Sequence, residues 1–267
     1  MLLSWPQARA LALSAEAAEA PLDLERHCIE GAVVESTRSY PGYYFGNRFI
    51  LDYAPDTQSV RMWLARYREC FAWREAAYPA VLSWYEPHAQ VRAIGADDVN
   101  VQVMLLAPDG IPARRLTPDA GSIIAFSSDH TWQQLIDLEC AAYAYGEPFT
   151  RWRVSSFRAM TAAGHGTYYG IVSGDGVLLC AAGAYYRGDV ARFVGVITRE
   201  EHRGHGLASA LIADILIRMQ RQARARVIVA DVGSKAAALY RSIGFMPFCY
   251  NHSLIVNHAL GQPVVGT

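Results

Sequence analysis

Within residues 190–219 a strand has to end and a helix has to begin inside one short polar loop, and this junction constrains the fold more than any other feature of the chain. The run Phe193-Val194-Gly195-Val196-Ile197-Thr198 reads as a β-strand, and residues 207–219 read as an apolar α-helix. Between them lies Arg203-Gly204-His205-Gly206-Leu207-Ala208. The first amides of a helix have no intrahelical acceptor, the helix dipole is positive there, and small residues let a ligand approach the backbone. The junction therefore implies a phosphate or pyrophosphate ligand. A P-loop is excluded, because it needs a lysine after its second glycine and the single lysine, Lys235, lies well downstream. A dinucleotide fingerprint is excluded as well, because Gly204-x-Gly206 is followed by Ser209 rather than a third glycine, and a long, mostly β segment precedes it.

A second unit follows. Residues 227–232 read as a buried strand, Ser234 as an N-cap, and residues 235–243 as a short helix closed by Gly244. Together the spacing Arg203-x-x-Gly206-x-Ala208 and the run Ala236-x-x-Leu239-Tyr240-x-x-x-Gly244-Phe245 resemble the GNAT superfamily of N-acetyltransferases, in that family's order. The resemblance implies acetyl-CoA as acyl donor. The backbone at Val196, Ile197 and Thr198 would pair with pantetheine, and Arg203, Gly204, His205, Gly206, Leu207, Ala208 and Ser209 would hold the pyrophosphate. Tyr240 would donate to the departing thiolate. The bland alternative for Tyr240 is an aromatic packed on the sheet. Where the family often has an asparagine before this helix, the chain has Gly233, and residues 190–198 carry no carboxylate to act as a base. Asp137, Glu139, Glu147 and Asp189 are candidates by location only, so no base is assigned.

With 52% hydrophobic and 18% charged residues, the 267-residue chain reads as globular and large enough for two domains. Its 24 basic and 25 acidic residues give no basic field for nucleic acid and no polybasic membrane patch. Five dispersed cysteines without CxxC spacing, and no secretory leader, imply reduced thiols and a cytoplasmic location. No apolar run reaches membrane-spanning length. His202 and His205 flank the loop without a third ligand, so no metal site is expected.

Turn residues near 120 divide the chain into residues 1–118 and 119–267. The second part reads as strand, two helices, an antiparallel meander, helix, strand, helix, strand. That order gives an α+β fold with a mixed, mainly antiparallel central sheet flanked by helices, as the resemblance implies. Trp132, Tyr143, Tyr145, Phe149 and Trp152 lie where that family builds its acceptor pocket, though core packing is the simpler reading. The first part reads as α+β: an alanine-rich helix after Pro6, a strand-rich stretch over 43–51, a helix carrying Val60, Trp63, Leu64, Tyr67 and Phe71, and strands at 80–84 and 101–106. It has no glycine-rich loop, so it is either a degenerate copy of the second part or a support domain. The expected activity is acetyl transfer to a primary amine, small molecule or peptide, with homodimerisation open. A non-catalytic acyl-CoA-binding module is the competing expectation.

Overall fold

The structure, a computed structural model, describes residues 3–75, 78–87, 98–106, 121–219 and 223–256. The first part contributes α1 (Trp5–Glu19), β1 (Glu25–Ile29), β2 (Ala32–Ser36), β3 (Arg48–Leu51), α2 (Thr57–Cys70), β4 (Ala80–Glu86) and β5 (Asp98–Leu106). The second contributes β6 (Ser122–Ala125), α3 (Asp129–Ala142), α4 (Glu147–Ala162), β7 (Gly166–Val172), β8 (Leu178–Arg187), β9 (Val190–Thr198), α5 (Leu207–Arg218), β10 (Ala225–Asp231), α6 (Lys235–Ile243) and β11 (Phe245–Val256). All of these strands join one sheet in the order β1-β2-β3-β4-β11-β5-β10-β9-β8-β7-β6. The expected division at 118/119 lies outside the described residues.

The order repeats itself when read inward from both ends. In each part an antiparallel meander (β1-β2-β3, β7-β8-β9) leads through a helix to a parallel neighbour. Parallel neighbours need such a crossover, and α2 and α5 supply it. The next place is filled from the other part: β5 lies between β10 and β11, and β11 between β4 and β5, all antiparallel. The two parts thus exchange their last strands.

Helices cover both faces of the sheet. Ala191 and Phe193 of β9 pack with Leu211, Ile212 and Ile215 of α5 and with Tyr240 of α6. On the other face Val194 packs with Trp132, Leu135 and Phe157 of α3 and α4. Trp63, Tyr67 and Phe71, expected as a helical stripe, bury against Phe49, Leu82 and Trp84. Helix α1 buries Ala8, Ala12, Ala15 and Ala18, and Ala12 and Ala15 share a cluster with Ile50, Tyr85, Val103, Val190 and Val227. Its small side chains let it lie close across the seam between the two parts.

The strand-rich reading of 43–51 is half right. Residues Tyr44–Gly46 form a single 3-10 turn and β3 starts only at Arg48. Buried Asn47 causes the break, accepting from the Thr37 amide (2.8 Å) and donating to the Tyr43 carbonyl (2.8 Å). Helix α4 begins at Glu147, and Pro148 suits its first turn, where a missing N–H costs nothing.

Candidate active site

Strands β9 and β10 run together only at their bases, through Val190–Ala225, Ala191–Arg226 and Arg192–Val227. Beyond Arg192 they part, β9 staying with β8 and β10 with β5. A bulge in β9 accompanies the divergence. Ala181 pairs with Ile197 and Gly183 with Val194, so Gly195 and Val196 together oppose one residue and drop out of the register. Gly195 has φ 55°, and its carbonyl accepts a hydrogen bond from the Tyr168 hydroxyl at 3.1 Å. A Cβ at this position would run into that hydroxyl. Between the parted strands lies a cavity of about 340 Å³, lined in part by Arg192, Gly195, Val196, Ala230, Asp231 and Tyr240.

The three strand residues expected at pantetheine divide by side-chain direction. Val196 lines this cleft. Ile197 points into the α3/α4 core, leaving only its backbone for a ligand. The Thr198 hydroxyl donates to Cys180 Sγ at 3.3 Å, and its carbonyl accepts from Arg203 Nε at 3.2 Å, which ties the loop back to the strand end. Glu200–His202 form one 3-10 turn, and Arg203, Gly204 and His205 are exposed. Gly206, at φ 77°, is the N-cap of α5, and no side chain caps that helix. Leu207 and Ser209 are buried, anchoring the first turn, with half-buried Ala208 between them. The sequence-predicted loop residues therefore stand together around an uncapped helix N-terminus.

Helix α2 occupies the equivalent place in the first part and differs at this point. Its N-cap Asp56 accepts from the Ser59 amide at 2.7 Å, while Ser59 Oγ accepts from the Asp56 amide at 2.8 Å. Its amides are already engaged by a carboxylate of the chain.

Ser234 caps α6 through the Ala237 amide (3.1 Å), and Arg241 Nη2 donates to Gln102 of β5 at 2.7 Å, so a strand of the first part steadies this helix. Tyr240 is buried to 5% exposure, its ring edge-to-face with Phe245, and it lines the cleft. Burial pushes its phenol well above the ordinary range and Arg192 pulls it only partly back, so the hydroxyl stays protonated and able to donate.

A second cavity of about 690 Å³ adjoins the cleft, and Glu19, Tyr145 and Arg153 line both. Its walls include Tyr145, Phe149 and Trp152, for which core packing was the simpler expectation, together with Tyr40 and Tyr43 of the first part. Trp132 is core, and Tyr143 lines the cleft. None of the four carboxylates named from location lines either cavity. Glu139 is fully buried behind Arg153, which donates to it at 2.9 Å; burial raises its carboxyl and Arg153 opposes that shift. Asp137 accepts from Gln133, Glu147 pairs with Arg151, and Asp189 sits at the β8–β9 turn, where its carbonyl accepts from the Arg224 amide. The carboxylate that does reach both cavities is Glu19, at the end of α1. It accepts from Arg192 Nη2 at 3.2 Å. Arg192 is 7% exposed, and its Nε and Nη1 are buried without a hydrogen-bond partner. Sequence reasoning missed this pair because only the packing of α1 brings residue 19 to residue 192.

Among the described residues, no three His, Cys, Asp or Glu side chains gather where a metal could sit, and no helix is long and apolar enough to cross a membrane.

The profile of the acetyltransferase (GNAT) family matches residues 132–245. No curated protein matches the sequence. Among solved structures, the chain is similar to a functionally unknown conserved protein from Staphylococcus epidermidis, at 12% identity and TM-score 0.70, covering 88% of this chain and 95% of that one. It is similar to a GCN5-related N-acetyltransferase from Kribbella flavida, at 17% identity and TM-score 0.68 over 93% and 95% of the two chains. It also resembles a tandem GNAT protein from the clavulanic acid biosynthesis pathway, at 15% identity and TM-score 0.55 over 92% and 94%. At these identities the structural likeness speaks for the fold.

Proposed function

We propose that the protein, whose residues 132–245 match the profile of the acetyltransferase (GNAT) family, transfers an acetyl group from acetyl-CoA to a primary amine by direct attack. The observation that carries the proposal is the joining of an uncapped helix N-terminus at Gly206 to a parted strand pair with Tyr240 on its wall. Acetyl-CoA supplies the acyl group as an activated thioester. The amides at the start of α5, with Arg203 beside them, take the pyrophosphate. The bulged backbone at Val196 holds the pantetheine end and polarises the thioester carbonyl. Tyr240, kept protonated by burial, donates to the sulfur as it leaves. The amine attacks in its neutral form and the C–S bond breaks as sulfur takes the Tyr240 proton. The proton released from nitrogen passes to solvent, from which Tyr240 is reprotonated. Because all of this occurs within one cleft, positioning supplies much of the rate.

The first part gives no second donor site on this reading, because Asp56 already fills the N-terminus of α2. Calorimetry with acetyl-CoA tests the donor, with one site per chain expected. Release of free CoA with an amine panel tests transfer. Absence of acetyl-CoA binding overturns the proposal, and binding without release for any amine makes the protein an acyl-CoA-binding module instead.

A further inference from the structure

The cavity beside the donor cleft has a composition that selects among amines. Its walls are aromatic from both parts of the chain. Tyr40 lies 4.8 Å from Trp152 between ring centroids, Tyr43 lies 5.1 Å from Trp152, and Phe149 stands 5.7 Å from Tyr145 in an edge-to-face arrangement. Its volume, about 690 Å³, is in the range of small-ligand sites. Among the described lining residues Glu19 is the one carboxylate, and it sits where this cavity meets the donor cleft.

We propose that the acceptor is a primary monoamine carried on an aromatic body, with its ring against the wall that Tyr40, Tyr43, Phe149 and Trp152 form and its nitrogen at Glu19. The inference rests on the acyltransferase reading and deepens it. Three observations point the same way. A flat apolar body gains stacking and edge contacts from such walls. An ammonium at Glu19 stands at the mouth of the cleft, and the carboxylate can accept from it while Oε1 remains with Arg192, because a carboxylate has about four lone-pair sites. A second ammonium further out would meet no carboxylate among the described lining residues. Polyamines and aminoglycosides are therefore poorly served.

The test uses the full chain with saturating acetyl-CoA and follows free CoA. Phenethylamine and tryptamine are expected to show KM values at least tenfold below those of spermidine and kanamycin. Glu19→Gln, which keeps the side-chain shape, should raise the phenethylamine KM about tenfold or more. Trp152→Ala should do the same. Preference for spermidine or kanamycin, or an unchanged phenethylamine KM in Glu19→Gln, overturns the inference. Calorimetry with phenethylamine alone separates the two levels. If acetyl-CoA fails to bind, the acyltransferase reading falls; if phenethylamine fails to bind while acetyl-CoA does, only the acceptor assignment falls.

Discussion

Tyr240 and Gly195 do different work within the same cleft, and their substitutions should separate. Replacing Tyr240 with Phe keeps the ring against Phe245 and removes the donor. Turnover should fall about 10²-fold, the range for loss of a positioned acid, with acetyl-CoA affinity within twofold. Equal loss of both would mark the tyrosine as packing alone. Because burial raises its phenol, Tyr240 remains a donor through and above the ordinary tyrosine range near pH 10. Any alkaline fall in turnover below that range should then persist unchanged in Tyr240→Phe, and its disappearance would show that the phenol titrates in its ordinary range, against the raised value that burial gives it. Gly195→Ala sets a side chain at a positive φ and against the Tyr168 hydroxyl, which should cost about 1–3 kcal/mol in denaturant titration. The same change in a Tyr168→Phe background should cost less, since half of the conflict is then removed.

Among the elements, those whose cause is local were legible in the sequence. Residues 203–209 and 236–245 carry their turn, cap and apolar spacing within a few positions, and α5 and α6 stand where those residues imply. Strand β1 offered no such pattern: Glu25-Arg26-His27-Cys28-Ile29 is a mostly exposed, polar edge strand held by its pairing with β2. Strand β5 was readable as a strand, yet its place between β10 and β11 depends on partners more than a hundred residues away. The site divides in the same way. The loop 203–209 at the uncapped start of α5 was legible, whereas Glu19 and the wall from Tyr40 and Tyr43 come from α1 and the 37–47 loop folding over the second part. Helices α2 and α5 offer a test at this scale. Asp56→Ala should lower thermal stability at neutral pH and leave acetyl-CoA affinity unchanged. The hydrogen bonds from the Ser59 backbone and side chain hold the Asp56 carboxyl below its ordinary range. Its contribution is therefore present above the unfolded value, near 3.9, and lost as pH falls through the folded one. The stability gap between variant and parent should close in acid, and a gap that stays constant would refute the cap.

At the scale of the molecule, one sheet with exchanged last strands binds the two parts into a single body, and α1 lies across the seam. Unfolding should show one calorimetric transition with matching calorimetric and van't Hoff enthalpies; two resolved transitions would contradict this coupling. Residues 121–267 alone would lack β5 and leave β10 and β11 without their shared neighbour. That fragment should fail to bind acetyl-CoA until residues 1–120 are added in trans. The exchange also sets a timetable for synthesis. Strand β4 leaves the ribosome roughly 160 residues before the first residue of β11, the partner that covers its edge. At about 5–20 residues per second that interval is on the order of ten to thirty seconds. During it, an apolar strand stands with one side unpaired, a template for any passing chain until β11 arrives near the end of translation.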